Sequence, residues 1–218
     1  MRTPIHARMR PTLFGIVGAS VLLAACAGES TAPKTAQRSS LIRTSPFVPT
    51  AAQKALVGVS DGTYSFTIDP SQAQSLSFGA SHLDIPANAV CELSSSSYGV
   101  AHWNESCTPE TASFTITAVV MNAATDHPSV DFYPALRFSP ETNVSLFLYV
   151  TDQATLDASR VMKYCNESAC VDESIADPSL VSNVDTTNNV VFRRIKHFSG
   201  YVVAERVLDD LLDGLGGI

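Results

Sequence analysis

Cysteine carries the most committed chemistry in this 218-residue chain, at Cys26, Cys91, Cys107, Cys165 and Cys170. In a chain that leaves the cytoplasm, four thiols beyond Cys26 make an even number and point to disulfides. Three pairings are possible. The local one, Cys91–Cys107 with Cys165–Cys170, is expected because each pair brackets a turn-rich segment, "ELSSSSYGVAHWNES" and "NESA". Closing the larger loop would stabilise by about 3 kcal/mol and the smaller by about 2 kcal/mol on a chain-entropy basis. The cysteines lack paired C-x-x-C spacing, so a metal site built from them with His82 or His102 is not expected.

The other reactive types give weaker patterns. His82, His102 and His127 lie beside turns or strand ends, with no acidic or cysteine partner at motif spacing. They read as solvated or hydrogen-bonded loop histidines. No Gly-x-Ser-x-Gly elbow, phosphate-cradling glycine loop or H-E-x-x-H is present. Asp172-Glu173 lacks EF-hand spacing and reads as a solvated acidic loop. Trp103, the one tryptophan, sits between two cysteines with Tyr98 and His102 nearby. It reads as a packed loop anchor; the alternative is that the three form a carbohydrate-stacking platform. Nothing here requires a cofactor, a metal or enzymatic turnover.

The elements that must hold these residues are strands. "GTYSFTI" sets Tyr64, Phe66 and Ile68 on one face, and "SFTITAVVM" alternates Phe114, Ile116, Ala118 and Val120 against threonines. "NVSLFLYVT" is apolar on both faces and so suits the middle of a sheet, while "NVVFRRIK" and "GYVVAE" supply two more strands. "TLDASRVMKYC" could hold one helical turn, but a strand through Val161–Cys165 fits as well. Turn signals separate these runs, including Asp61-Gly62, Asp69-Pro70 and Asn188-Asn189. In "HLDIPANAVCE" a strand ends at Ile85 because Pro86 cannot donate to a ladder, and the chain turns onto Cys91. Many short strands with polar turns describe a β-sandwich or a Greek-key barrel, and the expectation is an all-β, antiparallel β-sandwich of Greek-key type over 55–205. A short amphipathic helical tail over 206–218 carries Val207, Leu208, Leu211, Leu212 and Leu215 on one face.

The N-terminus supplies a cellular address. Arg2, Arg8 and Arg10 precede the apolar run "LFGIVGASVLLAA", which has the length of a secretory signal core. The run ends in Leu23-Ala24-Ala25-Cys26, which resembles the lipobox of bacterial lipoproteins. The resemblance implies a signal peptide over 1–25, diacylglycerol on the Cys26 thiol, and a cell-envelope protein anchored in a membrane through Cys26. In a cell with two membranes that means the outer membrane or cell surface, since position 27 is Ala, not Asp. An ordinary secretory signal or a retained anchor are the alternatives. Residues 26–54, rich in Ser, Thr, Ala and Pro, read as a flexible tether, with Leu41-Ile42 and Phe47-Val48 able to dock as a leading strand. Cleavage would remove three of 14 basic side chains, leaving 11 against 21 acidic ones and a net charge of about −10. That balance argues against nucleic acid as a partner.

"LDIPANAV" resembles the Ile-Pro-x-Gly-Ala-Leu signature of ZU5 domains, with Asn88 where the family usually has Gly. "DFYPALRFSPETNVSLFLYV" and "KHFSGYVVAE" are similar to later segments of the same family, in the same order. The resemblance spans about residues 62–204 and implies a non-catalytic interaction module; taken with the envelope address, the expectation is a binding or structural module whose partner is an unidentified envelope protein or glycan. It also implies a sharper alternative at His197-Phe198-Ser199. In some ZU5-containing proteins this tripeptide is cut between Phe and Ser. His197 would deprotonate Ser199, whose oxygen would attack the Phe198 carbonyl, and the resulting ester would hydrolyse. The plainer expectation is that the tripeptide joins two strands, with Phe198 in the core.

Overall fold

The structure is a computed structural model and describes residues 41–42, 45–55 and 61–206. Cys26, the expected signal segment and the tail from residue 207 lie outside the described residues.

The fold is an all-β sandwich. The strands are β1 (Leu41–Ile42), β2 (Gly62–Ile68), β3 (Gln74–Phe78), β4 (Ser81–Ile85), β5 (Phe114–Met121), β6 (Ser129–Tyr133), β7 (Val144–Tyr149), β8 (Arg160–Cys165), β9 (Cys170–Val171), β10 (Asn183–Asp185), β11 (Val190–Ile195) and β12 (Gly200–Glu205). They form two sheets, β1-β10-β11-β7-β4-β3 and β2-β5-β6-β12-β8-β9. All pairings are antiparallel except β1 on β10. The segment around Val161 is therefore a strand, β8, with no helical turn.

Period-two patterning decides which residues go inside. Ile68 and Ile116 from one sheet meet Leu83, Leu146 and Ile195 from the other in a single core. β7 lies between β11 and β4, which accounts for its two apolar faces: Leu146 and Leu148 face the core, while Phe147 and Tyr149 form a second cluster with Phe47 and Phe192. Phe47 stacks on His82 with ring centroids 4.3 Å apart. The Ser45 amide donates to Asp185 Oδ2 at 2.7 Å. Part of the segment read as a tether thus packs on the first sheet, as the leading-strand expectation anticipates. The single α-helix among the described residues, α1 (Ala51–Ala55), starts in a reciprocal capping box, Thr50 Oγ1 accepting from the Gln53 amide and Gln53 Oε1 from the Thr50 amide.

The turn after β4 follows the sequence reading. Asn88 has a φ of 58° and so takes the left-handed backbone that asparagine tolerates better than most residues. The Ala89 amide donates to the Pro86 carbonyl, closing the turn that leads to Cys91. Cys91 is bonded to Cys107, and Cys165 to Cys170.

Candidate functional site

Two groups of residues named from sequence, His197-Phe198-Ser199 and Tyr98-His102-Trp103, come together at one end of the sandwich. The loop closed by Cys91–Cys107 folds back over the connection between β11 and β12. Arg137 holds it there, its guanidinium donating to the His102 carbonyl at 2.9 Å and to the Glu105 carbonyl. Lys196 adds a hydrogen bond to Asn104. Trp103 then stacks on His197 at 4.1 Å between ring centroids, and Tyr98 meets Trp103 edge-on at 4.8 Å.

Trp103 is only 6% exposed. A sugar-stacking platform needs an open aromatic face; Trp103 does not present one and anchors the loop, while Tyr98 is 41% exposed. His102 instead places Nδ1 2.8 Å from Glu105. His82 and His127 also have carboxylate neighbours, Asp84 at 2.7 Å and Asp126 at 2.5 Å. All three are hydrogen-bonded histidines, as expected, and their carboxylate partners are near in sequence at spacings that only the strand and turn geometry brings within reach.

The tripeptide is built into the sandwich. Phe198 is fully buried, stacked on Phe132 at 4.5 Å and edge-on to Phe138 at 4.9 Å. Its amide donates to the Leu136 carbonyl, and its own carbonyl accepts from the Tyr98 hydroxyl at 2.6 Å. The Tyr98 hydroxyl proton is thereby committed, so Ser199 Oγ donates to Tyr98 at 2.8 Å. Burial raises the Tyr98 pKa, with the Ser199 contact acting in the opposite sense, and the phenol stays neutral. His197 is turned elsewhere. Its Nε2 donates to Glu173 Oε1 at 2.9 Å, and its Nδ1 lies 3.4 Å from the Tyr201 hydroxyl. No hydrogen bond joins His197 to Ser199 among the described residues. The nucleophile of the self-cleaving alternative therefore has no base in contact with it.

Glu173 is the organising residue that sequence reading missed. It pairs with the buried Arg193 as well as with His197. Burial pushes its carboxyl pKa up, yet the His197 hydrogen bond and the Arg193 charge outweigh this and hold it below its ordinary range. Tyr201 closes the cluster, donating to the His197 carbonyl at 2.7 Å and lying under the Arg193 guanidinium at 5.3 Å. The solvated acidic loop expected at Asp172-Glu173 is thus corrected. Asp172 is buried and caps the short 3-10 turn Glu173–Ile175 through the Ser174 amide, and Glu173 points inward. A signal existed in β11: Val191, Arg193 and Ile195 share the core-facing parity, which flags Arg193 as a buried charge needing a partner.

Beside this cluster, Trp103, Tyr164, Val171 and Leu180 line a cavity of about 430 Å³. Asp177, at its edge, pairs with Lys196. Burial opposes the Asp177 anion, yet hydrogen bonds from Lys196 and Ser179 hold its carboxyl down to about 2, against 3.8 ordinarily. A folded-state value below the unfolded one gives stability that is complete above about pH 4 and is lost as pH falls through about 2. Asp177→Asn is therefore expected to lower the melting temperature at neutral pH, with the gap to the parent chain narrowing toward pH 2 in melts followed by circular dichroism.

Comparison with known proteins found no matching family model, no similar curated protein and no similar solved structure.

Proposed function

We propose that this chain is a cell-envelope lipoprotein, held at a membrane by acylated Cys26, whose divergent ZU5-like sandwich is a non-catalytic binding or structural module. One observation carries the reading. Once the lipobox cysteine is set aside, the remaining four close as two local disulfides, which suits an exported chain. The ZU5-like motifs support it from another side. "LDIPANAV" spans the end of β4 and its turn, "DFYPALRFSPETNVSLFLYV" runs from β6 into β7, and "KHFSGYVVAE" forms the entry and body of β12. The non-catalytic part rests on the His197 imidazole being engaged by Glu173, away from Ser199.

The test is expression of the full chain in a bacterium, with detergent-phase partitioning and intact-mass measurement. The parent chain is expected in the detergent phase, beginning at an acylated Cys26 and running uncut to residue 218. Cys26→Ser is expected in the aqueous phase. A parent chain that partitions into water with residues 1–25 still attached overturns the anchor. A fragment beginning at Ser199 overturns the non-catalytic reading.

A further inference from the structure

The outer face of the second sheet carries a groove of about 580 Å³ between β6, β12 and the Cys165–Cys170 hairpin. Val130 and Phe132 of β6 point into the core, so Ser129, Asp131 and Tyr133 face outward, each about 7 Å from the next. Gly200 and Val202 of β12 lie beside them, with Asp131 opposite Gly200 and Ser129 opposite Val202.

Three features of this groove are unexplained by folding. Tyr133 leaves 56% of its surface exposed, an aromatic ring with no core to fill. Asp131 is half-buried, and among the described residues its carboxylate has no hydrogen-bond or ion-pair partner, a costly arrangement unless a donor arrives. Burial raises its pKa, in keeping with that lack of a donor. Finally, Gly200 leaves the space in which the carboxylate lies: a Cβ there would fall 2.5 Å from Asp131 Oδ1. Ser129, Ser199 and Asn166 add hydroxyl and amide groups around the rim.

The charge excludes several ligand classes. Asp131 and Glu167 line the groove, and no lysine or arginine does so among the described residues, which disfavours phosphates and other anions. The polar groups disfavour an acyl chain. An open aromatic face next to an unsatisfied acceptor and several hydroxyls suits a ring that is apolar on its faces and hydroxylated on its edges.

We propose that this groove binds a neutral oligosaccharide, one sugar ring stacking on Tyr133 while its hydroxyls donate to Asp131. The proposal deepens the binding-module reading above and is independent of the lipid anchor.

Affinity electrophoresis of the detergent-solubilised full chain tests it, in gels containing soluble β-glucan, xylan, mannan or glycol chitin, with heparin as the anionic comparison. Retardation by at least one neutral polymer is expected. Tyr133→Ala should weaken it by about tenfold or more with an unchanged melting temperature, the ring being exposed. Gly200→Ala, which intrudes on the carboxylate without deleting it, should also weaken it, while Trp103→Phe should leave it intact. Cys26→Ser should be retarded like the parent, so that failure of the anchor and failure of sugar binding are separate results. Migration unaffected by every neutral polymer, retardation by heparin alone, or retardation undiminished in Tyr133→Ala overturns the proposal.

Discussion

Glu173→Gln is expected to destabilise the domain by about 3–5 kcal/mol, the range for leaving a buried charge without its partner. In a domain of this size that lowers the melting temperature by roughly 6–20 °C. The substitution keeps the shape of the side chain and its acceptor oxygen, so lost packing contributes little. What it removes is the charge that faces Arg193. The Arg193 side chain is fully buried, and Glu173 is its one carboxylate partner among the described residues. After the exchange the guanidinium retains the Met162 carbonyl at 3.0 Å and the face of Tyr201, and its Nε has no hydrogen-bond partner among the described residues. The His197 ring also loses its charged acceptor, and with it the contact that fixes the floor under Trp103. Replacing both ions with apolar residues, Glu173→Leu with Arg193→Met, should recover much of the loss, because it removes the uncompensated charge together with its partner. Urea unfolding of the two variants beside the parent measures both effects. Equal stability of Glu173→Gln and the parent would mean that the cluster does not hold the Cys91–Cys107 loop and the 172–180 segment to the sandwich.

That cluster also marks where the sequence stops being legible. Strand positions are visible because each face repeats every second residue, so β2, β5, β7, β11 and β12 stand out as period-two runs. The turn at Asn88 is visible because a proline and a residue tolerant of left-handed backbone occur together. The cysteine pairs are visible because each brackets a turn-rich segment. The partners within the site are not, since they depend on which loop closes over which sheet. Parity shows that Arg193 points inward, but nothing local says that Glu173, from a 3-10 turn 20 residues earlier, comes in to meet it. The acidic pair at Asp172-Glu173 has the composition of a solvated loop, and only its place over the sandwich buries it. His197 and Ser199 have the residue types of a base and a nucleophile, yet composition cannot show that the imidazole turns toward Glu173. Tyr133 and Asp131 of β6 did not stand out in the sequence, because an exposed Tyr and Asp on a five-residue strand carry no signal until the groove around them is seen.

Phe198→Ala is the second large effect, and it decides what the His197-Phe198-Ser199 segment is for. The ring sits between Phe132 and Phe138 with no exposed surface, so its removal leaves a cavity beside two aromatic rings of the core. A loss of about 3–5 kcal/mol is expected in urea unfolding. Ser199→Ala should cost only about 1 kcal/mol: it deletes the hydrogen bond to Tyr98 but leaves Tyr98 donating to the Phe198 carbonyl, and no buried donor is stranded. A reactive segment would behave the other way round. Its nucleophile would govern the covalent state of the chain, so Ser199→Ala would change the intact mass of the purified protein, while the residue before the cut would matter mainly for the rate. The geometry favours the first pattern. The Phe198 carbonyl is held by Tyr98 and its amide by Leu136, the next carbonyl accepts from Phe132, and the imidazole on one side faces away from the hydroxyl on the other. Such a segment fixes the entry of β12 into its sheet, and the thermodynamic weight should fall on the ring that fills the core.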